Sequence, residues 1–129
     1  MDCNVLISAH LIKNSVSRRA YEKALLSGIA FCSPATFQEF STRFLRSKFD
    51  KYLPLDQRLI AIARYKRESK MINPTNFVDA SRDPDDNKYL ELAIATNAAC
   101  IVSGDKDLLV LHPFQDIPII TAADFLARY

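Results

Sequence analysis

Three short apolar runs, Ile29 to Cys32, Ala98 to Ser103 and Ile117 to Ile120, are interleaved with longer segments whose apolar residues recur at helical spacing. Runs that are apolar throughout, rather than at every second residue, need cover on both faces. A parallel sheet between two layers of helices provides that cover. The expected class is therefore α/β with a mostly parallel sheet. In such a sheet, ligands bind in the crevice at the carboxyl ends of the strands.

The helical segments carry their own start and stop signals. Val16 to Ser27 places Ala20, Ala24 and Leu25 on one face and is followed by Gly28. Ser33-Pro34 opens the next helix, since serine caps free amides and proline suits the first turn. This helix is predicted to run to about Phe49, with Phe37, Phe40, Phe44 and Leu45 inward and Glu39 and Arg43 one turn apart beside that face. A helix capped by Asp56 should continue to about Lys70, with Leu59, Ile62 and Ala63 inward and Arg58, Arg64, Lys66 and Arg67 outward. Pro74 interrupts the segment from Met71 to Val78, leaving room for a short edge strand at most. Asp83-Pro84-Asp85-Asp86 is a turn leading into a helix to about Asn97 that buries Leu90, Ala93 and Ile94, and Thr121 begins a terminal helix. Val5, Leu6 and Ile7 fit either a strand end or a helix start.

At 129 residues the chain has the size of one domain, and two glycines, six prolines and no low-complexity tract argue against disorder. Cys3, Cys32 and Cys100 are odd in number and too far apart in sequence for a zinc motif. No apolar run approaches the roughly 18 residues of a membrane span, and no leader pattern is evident. The expected location is a reducing cytoplasm, with no membrane partner. Net charge is only +2, but Arg43 to Lys70 holds nine basic residues against three acidic ones. This stretch reads equally as the solvated face of two helices or as a phosphate-contacting surface.

Carboxylates stand at the transitions between strands and helices. Asp105 follows one strand, Asp2 stands where a very short first strand would end, and Glu39 and Asp86 lie on helices that reach the same crevice. Turn and capping roles explain Asp83, Asp85 and Asp86 equally well, and a plain loop explains Asp105 and Asp107. Carboxylates sharing a pocket raise one another's pKa, and a hard cation relieves the conflict. Oxygen ligands without a cysteine or histidine set favour magnesium or manganese. His10 and His112 belong to no ligand motif and read as structural residues.

Four ordered blocks then resemble the PIN family, specifically its VapC-like toxin components of bacterial toxin–antitoxin systems. The blocks are Asp2-Cys3-Asn4-Val5-Leu6-Ile7-Ser8-Ala9, the Ser33-Pro34 helix bearing Glu39, Arg82-Asp83-Pro84-Asp85-Asp86 through Ala93, and Ile101-Val102-Ser103-Gly104-Asp105-Lys106-Asp107-Leu108-Leu109. The resemblance implies a three-layer α/β/α sandwich with a mostly parallel four- or five-stranded sheet, as one domain over 1–129. It implies an acidic site of Asp2, Glu39, Asp86 and Asp105. Asp83 and Asp107 are further metal contacts, and Asn4 and Ser103 support the ligands by hydrogen bonds. The family has a complete strand before the first aspartate, where this sequence has Met1 alone. A shortened first strand is expected to leave Asp2 more mobile.

The function so implied is metal-dependent endoribonuclease activity, with Mg2+ or Mn2+ as cofactor and RNA as substrate. Arg43, Arg46, Arg64, Lys66 and Lys106 are candidate phosphate contacts. The resemblance also implies a homodimer and a cognate antitoxin. Two other readings stay open: a catalytically weak nucleic-acid-binding or regulatory module, and a metal-dependent phosphatase or phosphotransferase.

Overall fold

A computed structural model describes residues 1–129. The chain runs α1 (Cys3–Leu11), α2 (Val16–Ser27), β1 (Phe31–Cys32), α3 (Pro34–Phe44), α4 (Leu55–Glu68), β2 (Lys70–Met71), α5 (Asn87–Thr96), β3 (Ile101–Val102), α6 (Lys106–Leu109), β4 (Ile119–Ile120) and α7 (Ala122–Arg128). Short 3-10 turns at Ser47–Phe49 and Pro84–Asp86 precede α4 and α5. No helix is long and apolar enough to cross a membrane.

The strands are parallel and form two pairs. Phe31 stands opposite Lys70 and Cys32 opposite Met71 in one pair, while Ile101 faces Ile119 and Val102 faces Ile120 in the other. Both faces of the second pair are buried. Ile101 and Ile119 join the larger core with Leu6, Phe40, Tyr65 and Leu90, whereas Val102 and Ile120 pack against Val5, Ala20 and Phe125. Neighbouring residues along a strand point to opposite faces, so an unbroken apolar run serves two helix layers at once. The α/β reading holds, as does the helix-covered parallel arrangement.

Local chemistry sets the helix starts. Ser33 Oγ accepts from the Thr36 N–H at 3.1 Å, and Thr36 Oγ1 accepts from the Ser33 N–H at 2.8 Å, closing a capping box with Pro34 in the first turn. Val5, Leu6 and Ile7 open a helix rather than end a strand, because the Asp2 carboxylate accepts from the Val5 N–H at 2.9 Å and caps α1. Asn97, in the left-handed conformation at φ 49°, ends α5. Both histidines are structural. His10 Nδ1 donates to the Leu6 carbonyl at 2.8 Å among Tyr21, Phe40 and Tyr65, and His112 Nδ1 accepts from the Ile119 N–H at 2.8 Å.

Two helix expectations need correction. The third helix stops at Phe44, five residues earlier than expected, and the chain turns through the 3-10 segment instead. In α4 the buried residues are Arg58, Ala61, Ile62 and Tyr65, while Leu59, at 50% exposure, and Ala63 face out. Pro54 rather than Asp56 occupies the cap position. The helix is turned because Arg58 is wholly buried and closes the end of α3. Its Nη1 donates to the carbonyls of Phe44 at 2.8 Å and Arg46 at 3.1 Å, its Nε to that of Leu53 at 2.9 Å, and its Nη2 to Asp50. A planar fork with five N–H donors suits three diverging carbonyls, and the helix end would otherwise leave them unpaired.

Replacing Arg58 with alanine strands these carbonyls and opens a cavity, so the expected loss is about 3 kcal/mol or more of unfolding free energy. Asp50→Ala should cost under about 1 kcal/mol, because that carboxylate is 60% exposed. Urea titration checks both. Equal, small losses would show that the carbonyl contacts carry little of the stability.

Candidate metal centre

The acids predicted from sequence separate into three settings at the carboxyl ends of the strands. Asp83 precedes the 3-10 turn Pro84–Asp86, Asp86 ends it, and Asp105 and Asp107 flank the start of α6 just beyond β3. Oxygens of Asp83, Asp86 and Asp107 all lie within 4.8 Å of one another. Asp86 is buried at 8% exposure, and its Oδ2 has no hydrogen-bond partner. Burial raises its pKa from the ordinary carboxylate range to about 7, helped by the neighbouring charges of Asp105, Asp83 and Asp107.

Asp105 and Asp107 are held by short-range backbone geometry. Asp105 Oδ1 accepts from the Asp107 N–H at 2.8 Å, and the Asp105 N–H donates to Ser103 Oγ at 2.9 Å. The hydroxyl of Ser103, itself fully buried, donates to Asp2 Oδ2. Asp2 is 4% exposed, and its N–H donates to the Val102 carbonyl at 3.0 Å. Ser103 thus links Asp2 to the loop carrying Asp105 across 101 residues of chain. Asn4 is exposed in the first turn of α1.

Glu39 has a different environment. Its carboxylate accepts from the Tyr89 hydroxyl and pairs with Lys88 Nζ and Arg43 Nη2, each at 3.1 Å, with 14% of the side chain exposed. Tyr89 Oη in turn accepts from the Cys3 N–H at 3.1 Å, which ties Glu39 to the start of α1 beside Asp2. Two cations and a hydroxyl therefore saturate Glu39, while Asp86 retains a free oxygen. Lys88 and Tyr89 escaped the sequence reading because a lysine and an aromatic residue on α5 look like a solvated position and a core position.

The predicted cationic residues also divide. Arg43 and Arg46 line a groove with Lys88, between α3 and the segment 77–91, of about 670 Å³. Pro84 and Asp85, in the turn that carries Asp83 and Asp86, also line the groove. Arg64 and Lys66 are exposed on α4, the latter 5.8 Å from the centroid of Phe37, and neither lines this groove. Lys106 is exposed between Asp105 and Asp107.

The donor set fits a hard divalent cation. Three carboxylates converge, one oxygen is buried without a partner, and no cysteine or histidine joins the group. Asp83, Asp86 and Asp107 are the residues that would hold such a cation.

The PIN domain family model matches residues 1–107. An uncharacterized protein of Methanocaldococcus jannaschii is 33% identical over 114 residues, covering 87% of this chain and 73% of its own length. No solved structure matches the chain. PIN domains are generally metal-dependent nucleases. With its helix-covered parallel strands and acidic cluster at their carboxyl ends, this chain belongs to the PIN domain family.

Proposed function

We propose that this protein is a magnesium- or manganese-dependent endoribonuclease that hydrolyses RNA phosphodiester bonds. The partnerless buried oxygen of Asp86 among converging carboxylates carries the reading. A bound divalent cation supplies charge neutralisation at the scissile phosphate and acidifies a water nucleophile. Asp83, Asp86 and Asp107 would hold it, with Asp86 in its deprotonated form. The charge of the neighbouring Asp105 adds to the demand for a cation at Asp86. Ser103 holds the Asp105 backbone and Asp2 in a single orientation. Glu39 anchors Lys88 and Arg43 at the edge of the groove.

RNA enters along the groove beside Arg43, Arg46 and Lys88 in this reading. The same groove contains Glu39, Asp79, Asp85 and Glu91, so its lining is close to charge balance. Attraction for a polyanion then depends on the positive charge added at the adjacent acidic cluster. Lys106 provides a further contact beside Asp105. A homodimer and a cognate antitoxin complete the reading, and sedimentation across concentration and copurification of a neighbouring gene product test them.

Metal affinity should fall by up to about tenfold for each pH unit below 7, because a proton on Asp86 competes with the cation. Without metal the sign for stability is opposite to that of an ordinary paired carboxylate. Asp86 takes up its proton more readily folded, at about 7, than unfolded, at about 3.9. Its contribution is fully present below the unfolded value and is lost as pH rises through 7. Calorimetric titration of Mn2+ from pH 5.5 to 8 should show the affinity slope in the natural chain and a flat, weaker profile in Asp86→Asn. A flat profile in both would remove Asp86 from the site.

Cleavage of a mixed-sequence RNA should require Mg2+ or Mn2+. It should fall at least about 100-fold in Asp86→Asn and in Asp105→Asn, each folded by circular dichroism. Arg46→Ala should chiefly raise KM and flatten the salt dependence. Cleavage that persists in chelator, or that is as fast in both aspartate variants as in the natural chain, would falsify the assignment.

A further inference from the structure

The groove beside the acidic turn carries one feature that the metal chemistry leaves unused. Phe77 is its single aromatic lining residue and stands 86% exposed, while the next residue, Val78, is 8% exposed and packs into the larger core. A lone exposed apolar side chain needs no explanation by itself. Phe77 is set apart by how its backbone is held and by what surrounds it.

The chain around Phe77 forms no helix or strand, yet two residues of α5 fasten it. Asn76 Nδ2 donates to the Glu91 carbonyl at 3.2 Å, and the Val78 N–H donates to the Glu91 carboxylate at 3.0 Å, so both neighbours of Phe77 are tied to one residue. The Ala80 and Ser81 N–H groups donate to Asn87 Oδ1 at 3.1 Å and 2.8 Å. Asn87 and Glu91 stand one helical turn apart, and Asn87 directly follows Asp86. The same helix therefore fixes the ring and the turn that carries Asp83 and Asp86. A ring offered on a pinned backbone loses little conformational freedom when a ligand covers it.

The lining indicates which ligand chemistry fits. Only three of its fourteen residues are hydrophobic, and besides Phe77 these are the small Ala35 and the buried Val78. An apolar protein face would find a single sizeable contact there. Three cationic side chains meet four carboxylates in the lining, so phosphate attraction alone gives a strand little affinity. On the other wall α3 contributes Gln38 and Thr42, with Arg46 just beyond its end; all three are exposed, and Arg46 belongs to none of the chain's ion pairs. A flat π-face near neutral hydrogen-bonding groups and an unpaired cation matches an unpaired nucleobase with its phosphate.

We propose that Phe77 is a base-stacking position, where an unpaired base of single-stranded RNA lies on the ring and Arg46 meets an adjoining phosphate. RNA as the ligand is taken from the ribonuclease reading above. The ring then selects unpaired over paired strands, because the bases of a duplex are already stacked on one another.

The chain has no tryptophan, so Phe77→Trp places a sole fluorophore at the position. Its emission should fall saturably with a mixed-sequence RNA of about ten nucleotides and stay constant with the same strand annealed to its complement. Binding is measured in EDTA and again in Ca2+, with the strand's integrity checked by electrophoresis. Phe77→Ala and Phe77→Leu should each weaken single-strand binding at least about fivefold, and Phe77→Trp should keep it within about twofold. Duplex binding and Mn2+ affinity should be unchanged in all three variants, and Tm should stay within about 3 °C because the side chain is exposed. Constant emission with the single strand, a Phe77→Leu affinity equal to that of the natural chain, or an equal loss for the duplex overturns the proposal. A natural chain that binds no single strand in either condition also overturns it. The two readings fail separately. Phe77-dependent binding by a chain that cuts no RNA removes the ribonuclease and keeps the stacking position, whereas metal-dependent cleavage with an unchanged KM in Phe77→Ala does the reverse.

Discussion

The Asp2 carboxylate is the constraint around which the site is organised. A buried charge in a small fold persists only where its lone pairs are satisfied. Asp2 meets this condition by accepting from the Val5 N–H at the start of α1 and from the Ser103 hydroxyl at the end of β3. Its own N–H bonds β3 directly. One residue therefore caps a helix, aligns that helix with a strand and fixes the serine that positions Asp105. Changing the carboxylate would disturb all three.

The remaining acids divide by whether the fold satisfies them. Glu39 accepts from Tyr89 and pairs with two cations, a closed arrangement that joins α3 to α5. Asp86 is nearly as buried as Asp2 yet retains an oxygen with no partner, facing Asp83 and Asp107. Desolvation and the neighbouring carboxylates together penalise the charged form of Asp86. A fold that tolerates such a group at the carboxyl end of its strands is destabilised locally unless a cation binds there. This contrast, more than the count of acids, gives the site its chemistry.

The two parallel pairs place these groups at one end of the molecule. Ile101 and Val102 point into different cores, so the β3–β4 pair needs helices on both sides. The chain then leaves every strand on the same side, where α3, α5 and α6 begin. Arg58 performs the corresponding task at the other end of α3, where its guanidinium closes the final carbonyls and lets the chain turn sharply into α4.

Much of this architecture can be read from local pattern. The Ser33-Pro34 start, the apolar runs that became β3 and β4, and the turn before α5 each rest on chemistry within four or five residues, which sequence displays directly. The α/β class and a crowd of carboxylates at strand ends follow from the same patterns. Arg58 was misplaced because hydrophobic spacing treats arginine as a surface residue, and only the open carbonyls of a helix 14 residues earlier give it a buried role. Likewise, sequence shows that Asp2, Glu39, Asp86 and Asp105 exist, but not which are neutralised. Tertiary structure decided that, because the partners of Asp2 and Glu39 lie 101 and about 50 residues away. A carboxylate's chemistry depends on the charges and donors within a few ångströms of it, and chain order does not encode that distance.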